Sequence, residues 1–252
     1  MTPDAAQTVW GFPATSWTLV RRARSGDERA QGEALEALCR AYWRPLYAYA
    51  RGRGLARADA QDAVQDFFAT ALRRELFQRA EETAGKLRSF LLTALKHHLQ
   101  DRAAKEGAAR RRPEGGWADI DFETAEAEWA RSASGAAGAG PDSAYERQWA
   151  RALLAEAMAR VEARYAAEGK REVFATLKAE ALEEAEGAGG SVTEEKAGGA
   201  EMSAGARRVA VHRLRKRFAE ALREAVAGTL PEGGDVDAEL RELGAALAEG
   251  RA

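Results

Sequence analysis

Cysteine is nearly absent: Cys39 stands alone in 252 residues. A disulfide framework, a CxxC redox pair and a CxxC zinc site are thereby excluded within one chain, and a reducing, cytoplasmic setting is the default expectation. No uninterrupted apolar run approaches the roughly 20 residues that a membrane-spanning helix needs, so no membrane partner is expected. The N-terminus, MTPDAAQTVWGF, lacks the basic start and apolar block of a secretory leader. Proline occurs six times, and never between 142 and 230, so nothing in that window forces a helix to stop. Histidine occurs three times, as His97, His98 and His212. His97 and His98 are neighbours and point about 100° apart on a helix, unlike a metal-binding i, i+4 pair. No P-loop, GxSxG or HExxH is present. Cys39 lies on an apolar stripe, where a thiol is core rather than nucleophile. Acidic pairs such as Glu183 and Glu184 read as solvated helix face. The chain is therefore expected to be no enzyme, with no cofactor and no small-molecule substrate.

What is present is helical periodicity and patterned charge. Leu35, Leu38, Cys39, Tyr42, Trp43, Leu46, Tyr47 and Ala50 step by three and one, the apolar stripe of an α-helix. Pro45 sits inside that stripe and is expected to kink or divide the helix. Ala60, Ala63, Val64, Phe67, Phe68, Ala71 and Leu72 form a second stripe, with Asp59 as its expected N-cap. Leu87, Phe90, Leu91, Ala94, Leu95, His98 and Leu99 form a third. The stretch 12–20, FPATSWTLV, reads as a lead-in packed on this helical domain. The net charge of −2 hides a basic start (+7 over 1–112), an acidic stretch (−5 over 113–140) and a second basic block (+4 over 201–228). Two basic blocks around an acidic one suggest two nucleic-acid-facing parts in one chain.

The expected fold class is all-α. A helical domain spans 15–112, an acidic flexible linker 113–141, a second helical domain 142–228, and a C-terminal extension with a short amphipathic helix 229–252. The linker carries Trp117, Ile120, Phe122 and Trp129, apolar residues that must dock somewhere, on this chain or on a partner. In the second domain, stripes at Trp149–Tyr165, Val173–Leu182 and Val211–Val226 predict three helices. Between the last two, 187–205 holds six glycines and is expected to be poorly ordered or weakly helical.

Three faces carry candidate chemistry. The segment ARRVAVHRLRKRF at 206–218 places Arg207, Arg208, Arg213, Arg215, Lys216 and Arg217 in eleven residues, with His212 among them and Ser203 as a cap. DNA carries a phosphate about every 1.7 Å of axis, and such a face neutralises several. The helix near 86–105 shows Lys86, Arg88, Lys96, His97, Gln100 and Arg102 largely off its apolar stripe, suited to unpaired bases and phosphates. The helix from Asp59 shows Gln61, Asp62, Gln65 and Asp66 opposite its apolar side, a face suited to a protein partner.

In order and spacing, three segments resemble bacterial RNA polymerase sigma factors of the extracytoplasmic-function type. ALCRAYWRPLYAYARGRGLARADAQDAVQDFFATAL (37–72) resembles the domain whose D-A-x-D-x-x-Q-[DE]-x-F motif binds the polymerase clamp. GKLRSFLLTALKHHLQDRAAKE (85–106) resembles the segment that melts and reads the minus ten element, and SAGARRVAVHRLRKRF (203–218) the recognition helix that reads the minus thirty-five element. The resemblance implies core RNA polymerase and promoter DNA as partners, with an anti-sigma protein as a further partner. It implies polymerase contact at Asp59, Asp62, Gln65, Asp66 and Phe68. It implies DNA contact at Lys86, Arg88, Lys96, His97, Gln100 and Arg102, and at Ser203, Arg207, Arg208, His212, Arg213 and Lys216. Where the family has a compact helix and a Leu-Gly turn, this chain has TEEKAGGAEMSAG (193–205). Its two mid-helix glycines cost about 1 kcal/mol each relative to Ala, so the helix-turn-helix is expected to be degenerate. Two other readings remain: a helical DNA-binding protein without polymerase contact, and a family-derived interaction module that no longer reads DNA.

Overall fold

The computed structural model describes residues 16–24, 27–73, 76–79, 85–106, 121–135, 140–185 and 203–248. These form nine α-helices, one short 3-10 helix (Leu76–Arg79) and no strand. The helices are α1 Ser16–Ala23, α2 Glu28–Gly52, α3 Arg57–Arg73, α4 Leu87–Glu106, α5 Phe122–Gly135, α6 Pro141–Ala167, α7 Arg171–Ala185, α8 Ala204–Ala227 and α9 Val236–Ala248. The all-α expectation holds for the described residues. The glycine-rich 187–205 segment lies almost wholly outside them, and so do Trp117 and Ile120.

The described residues divide into two compact units, one within 154–225, the other within 16–153 and 226–248. In the larger unit α2 is the hub, with α1, α3, α4 and α5 packed against it. The stripe read from the sequence is its core: Leu38, Tyr42, Trp43, Leu46 and Tyr47 are all buried, as are Val64, Phe67, Phe68, Leu87, Leu91 and Leu95. Burying a side chain of this size stabilises by about 1.5–3 kcal/mol. Asp27 caps α2, its carboxylate accepting from the amides of Arg29 and Ala30. Pro45 does not divide α2, which runs through it from Glu28 to Gly52. Residues 42–50 are buried throughout, so packing on every side compensates for the missing amide bond. Asp59 lies in the first turn of α3, two residues inside the helix, and is not its N-cap. There it still favours the helix dipole.

The N-terminal half of α6 belongs to the same unit. Trp149 stacks on Tyr42 at 5.0 Å between centroids, and the Tyr145 hydroxyl donates to the Arg88 carbonyl at 2.8 Å. α6 starts so close to α2 that a Cβ on Gly52 would lie 2.9 Å from the Pro141 Cα, which requires glycine there.

The acidic linker is not a free tether over 122–135. That stretch is α5, capped by Asp121, whose carboxylate accepts from the Thr124 amide at 3.0 Å. Phe122 meets Trp43 and Tyr47 edge-on at 5.1 and 5.5 Å. Ala125 is buried, and Trp129 follows one turn on. The spacing 122, 125, 129 is a helix stripe, and it docks on α2.

In the smaller unit, Ala157, Val161 and Tyr165 of α6, Phe174 and Leu177 of α7, and Val211, Leu214 and Ala221 of α8 form one core. Gly169, at φ +70, ends α6 with the left-handed turn that favours glycine, and the Lys170 amide bonds back to the Tyr165 carbonyl at 2.8 Å.

Candidate functional site

α8 carries the clearest outward charge. The Ser203 hydroxyl accepts from the Ala206 amide at 3.3 Å, so this residue is a cap rather than a side chain aimed at a ligand. Val211, Leu214 and Ala221 fix the buried side. At about 100° per residue, Arg208, His212, Lys216 and Arg213 fall on an arc of about 140° opposite it. All four are exposed, and Arg208, Arg213 and Lys216 carry no ion pair among the described residues.

The other cations of this segment are held internally. Arg207 is only 7% exposed and lies 3.4 Å from Glu180 of α7. It continues the buried row Val211, Leu214, so it does not face solvent as expected. Arg215 pairs with Glu184 at 2.8 Å, and Arg217 with Glu168 at 3.1 Å while lying over the Tyr165 ring at 4.8 Å. The hydrogen bond from Lys170 and the charge of Arg217 hold the Glu168 carboxyl below its usual value. Flanking cations are thus neutralised, and the central arc is not.

On α4 the expected cations meet carboxylates of their own unit. Arg88 is 5% exposed and is held by Glu146 of α6 and by Glu239 and Glu242 of α9, the last two at 2.9 and 3.0 Å. Lys86 pairs with Glu239 at 2.6 Å and also with Glu242. Burial works against the charge of Lys86, but hydrogen bonds to those two carboxylates outweigh it and raise its pKa. Lys96 pairs with Asp142 at 2.7 Å. These three residues are engaged by protein, which corrects the picture of an open basic face at this end of α4. His97 and Gln100 are exposed, and Arg102 is half-buried.

On α3 the polar face is outward. Asp59 is exposed; Asp62 and Gln65 are partly so. Asp66 is turned toward α4, 3.3 Å from His98, whose ring meets Phe67 edge-on. Phe68 is 1% exposed and belongs to the core, so it is no surface contact. The sequence reading missed the Lys86–Arg88–Glu239–Glu242 cluster and the ion pairs of α5, both made between residues far apart in the chain.

Cys39 is buried, and burial pushes its thiol up to about 12. Such a thiol is not a nucleophile at neutral pH. Among the described residues, no group of three His, Cys, Asp or Glu side chains is placed to hold a metal ion. No described helix is long and apolar enough to cross a membrane. Compared with protein-family models, curated proteins and solved structures, the chain finds no match.

Proposed function

We propose that the chain is an RNA polymerase sigma factor of the extracytoplasmic-function type, acting in the cytoplasm to direct core polymerase to a subset of promoters. The observation that supports this best is the pairing, in one chain, of an outward acidic and polar face on α3 with an outward cationic arc on α8. Asp59, Asp62 and Gln65 grip the polymerase clamp. Arg208, His212, Arg213 and Lys216 hold the upstream promoter element through phosphates and base edges. The two functions fall in two domains, and α8 is the recognition helix of a degenerate helix-turn-helix; most of the matching stretch before it, 193–205, lies outside the described residues.

Near the melted element, the reading assigns direct contact to His97 and Gln100. Lys96 joins them once released from Asp142, since that pair is partly exposed, while Lys86 stays with the buried Glu239. Arg88 stays with Glu146 and Glu239 and holds α4, α6 and α9 together.

The test is co-purification with core polymerase and promoter-specific run-off transcription. Success in both supports the reading, and failure of both with a folded sample removes it. The neutralised cations of α4 favour a second reading, an interaction module that no longer touches DNA there. Mobility shift of promoter DNA with and without core polymerase separates the two: the module binds polymerase and leaves DNA unshifted.

A further inference from the structure

The face beneath α5 combines aromatic rings and guanidiniums, and none of its residues belongs to the sets assigned above to polymerase or promoter. On α2, Arg44 and Arg51 flank Trp43 and Tyr47, and Arg57 opens α3. Arg147 and Arg151 of α6 line the same crevice as Arg44, Tyr47 and Trp129. α5 answers this surface group by group. Glu128 pairs with Arg44 at 2.7 Å. Glu126 takes the Arg51 guanidinium through both oxygens, at 3.0 and 2.7 Å, and accepts from the Tyr47 hydroxyl. Glu123 pairs with Arg57. Phe122 inserts its edge against Trp43 and Tyr47.

Three carboxylates of α5 thus meet three guanidiniums, Arg44, Arg51 and Arg57, and Arg147 and Arg151 line the crevice beside them. Rings for bases beside cations for phosphates is the chemistry that holds a single strand. α5 imitates such a strand, with carboxylates in place of phosphates and Phe122 in place of a base. Its hold is uneven. The Arg44–Glu128 pair is enclosed and the Arg51–Glu126 pair is about one-fifth exposed on both sides, whereas the Arg57–Glu123 pair is open. An open pair such as the last is screened by salt and yields to a competing polyanion, so displacement of α5 starts at Glu123. Among the residues of α5 whose side chains are described, 122–131, only Ala125 is buried.

We propose that the surface of α2, α3 and α6 beneath α5 binds single-stranded nucleic acid, and that α5 is the competitor a strand must displace. The apparent affinity of the free chain is then lowered by the fraction of molecules in which α5 is undocked. The surface requires neither polymerase nor a promoter sequence.

The test is fluorescence anisotropy of labelled dT15 and rU15 oligonucleotides with the full chain and with a Glu123→Gln/Glu126→Gln/Glu128→Gln variant, which preserves side-chain volume. The variant should bind at least about tenfold tighter as its closed fraction falls, and adding Arg51→Ala and Arg57→Ala should remove the gain. Preference for dT15 or rU15 identifies DNA or RNA as the natural strand. A single Glu123→Gln variant, altered only at the exposed pair, serves if the triple variant loses its circular dichroism. It should loosen α5 at Arg57 yet leave every guanidinium of the surface to bind, again with a gain. Unchanged affinity in a folded variant, or a gain that survives Arg51→Ala and Arg57→Ala, overturns the proposal. So does capture of polyglutamate without capture of either oligonucleotide, which would make the partner an acidic protein. A chain that ignores polymerase yet gains oligonucleotide binding in this way loses only the promoter reading.

Discussion

Glu239→Gln tests the tie between α9 and α4. Glu239 is 1% exposed and bridges Lys86 at 2.6 Å and Arg88 at 2.9 Å. Breaking one partner of a buried ion pair costs about 3–5 kcal/mol, because the other charge is left without water. Here Arg88 keeps Glu146 and Glu242, and glutamine keeps one acceptor, so the loss is about 2–3 kcal/mol. For a domain of this size, about 2–4 °C is lost per kcal/mol, giving a fall in Tm of about 4–12 °C. Urea and thermal unfolding followed by circular dichroism read it. The same measurement on Arg88→Met and on the double variant closes a cycle, with a coupling of about 1.5 kcal/mol or more. A Glu239→Gln cost within about 0.5 kcal/mol of zero, the range of an ordinary surface change, together with no coupling to Arg88, would refute the reasoning.

Three further outcomes follow from the same geometry. Replacing Arg208, Arg213 and Lys216 with Ala should lower DNA affinity and cut the salt slope by about 0.9 for each phosphate no longer neutralised; Arg215→Ala, already paired with Glu184, should change the slope less in the same titration. Cys39 should resist a thiol reagent in the native chain and react on unfolding, because its thiol lies near 12; fast native labelling would show that it is not buried. Glu242 and Glu126 both sit below their ordinary value of 4.5. For Glu242 the leading cause is the hydrogen bond from Lys86; for Glu126 the bonds from Arg51 and Tyr47 outweigh burial. A depressed carboxylate stabilises the fold above its unfolded value and loses that contribution as pH falls through the folded one. Stability should therefore hold at mildly acid pH and decline below about 4.5, with the decline reduced in Glu126→Gln; a stability profile that falls already between pH 7 and 5 would contradict this.

The core was legible in the sequence because it depends on local spacing. Leu38, Tyr42, Trp43, Leu46 and Tyr47 repeat with the helix and are buried where the repeat puts them. Phe68 sat on such a stripe too, and the structure follows the stripe rather than the motif. Arg207 could have been placed in the same way, since 207, 211, 214 and 218 follow one helical row. The pairing of charges was not legible. Arg44 and Glu128 are 84 residues apart, and Arg88 and Glu242 are 154 apart; only the fold brings them together. Composition was misleading at α5, where acids and small residues look like a tether. The ordering signal was Phe122, Ala125 and Trp129 at three and four residues, a short stripe with a long-range partner.

The central claim is that α3 presents a face to core RNA polymerase, and titrating a fluorescently labelled chain with purified core enzyme tests it most directly. The account predicts saturable binding, weakened at least about tenfold, or about 1.4 kcal/mol, by reversing charge at Asp59 and Asp62 while the fold is retained. Absence of saturable binding by the folded chain, or binding indifferent to both reversals, would contradict it.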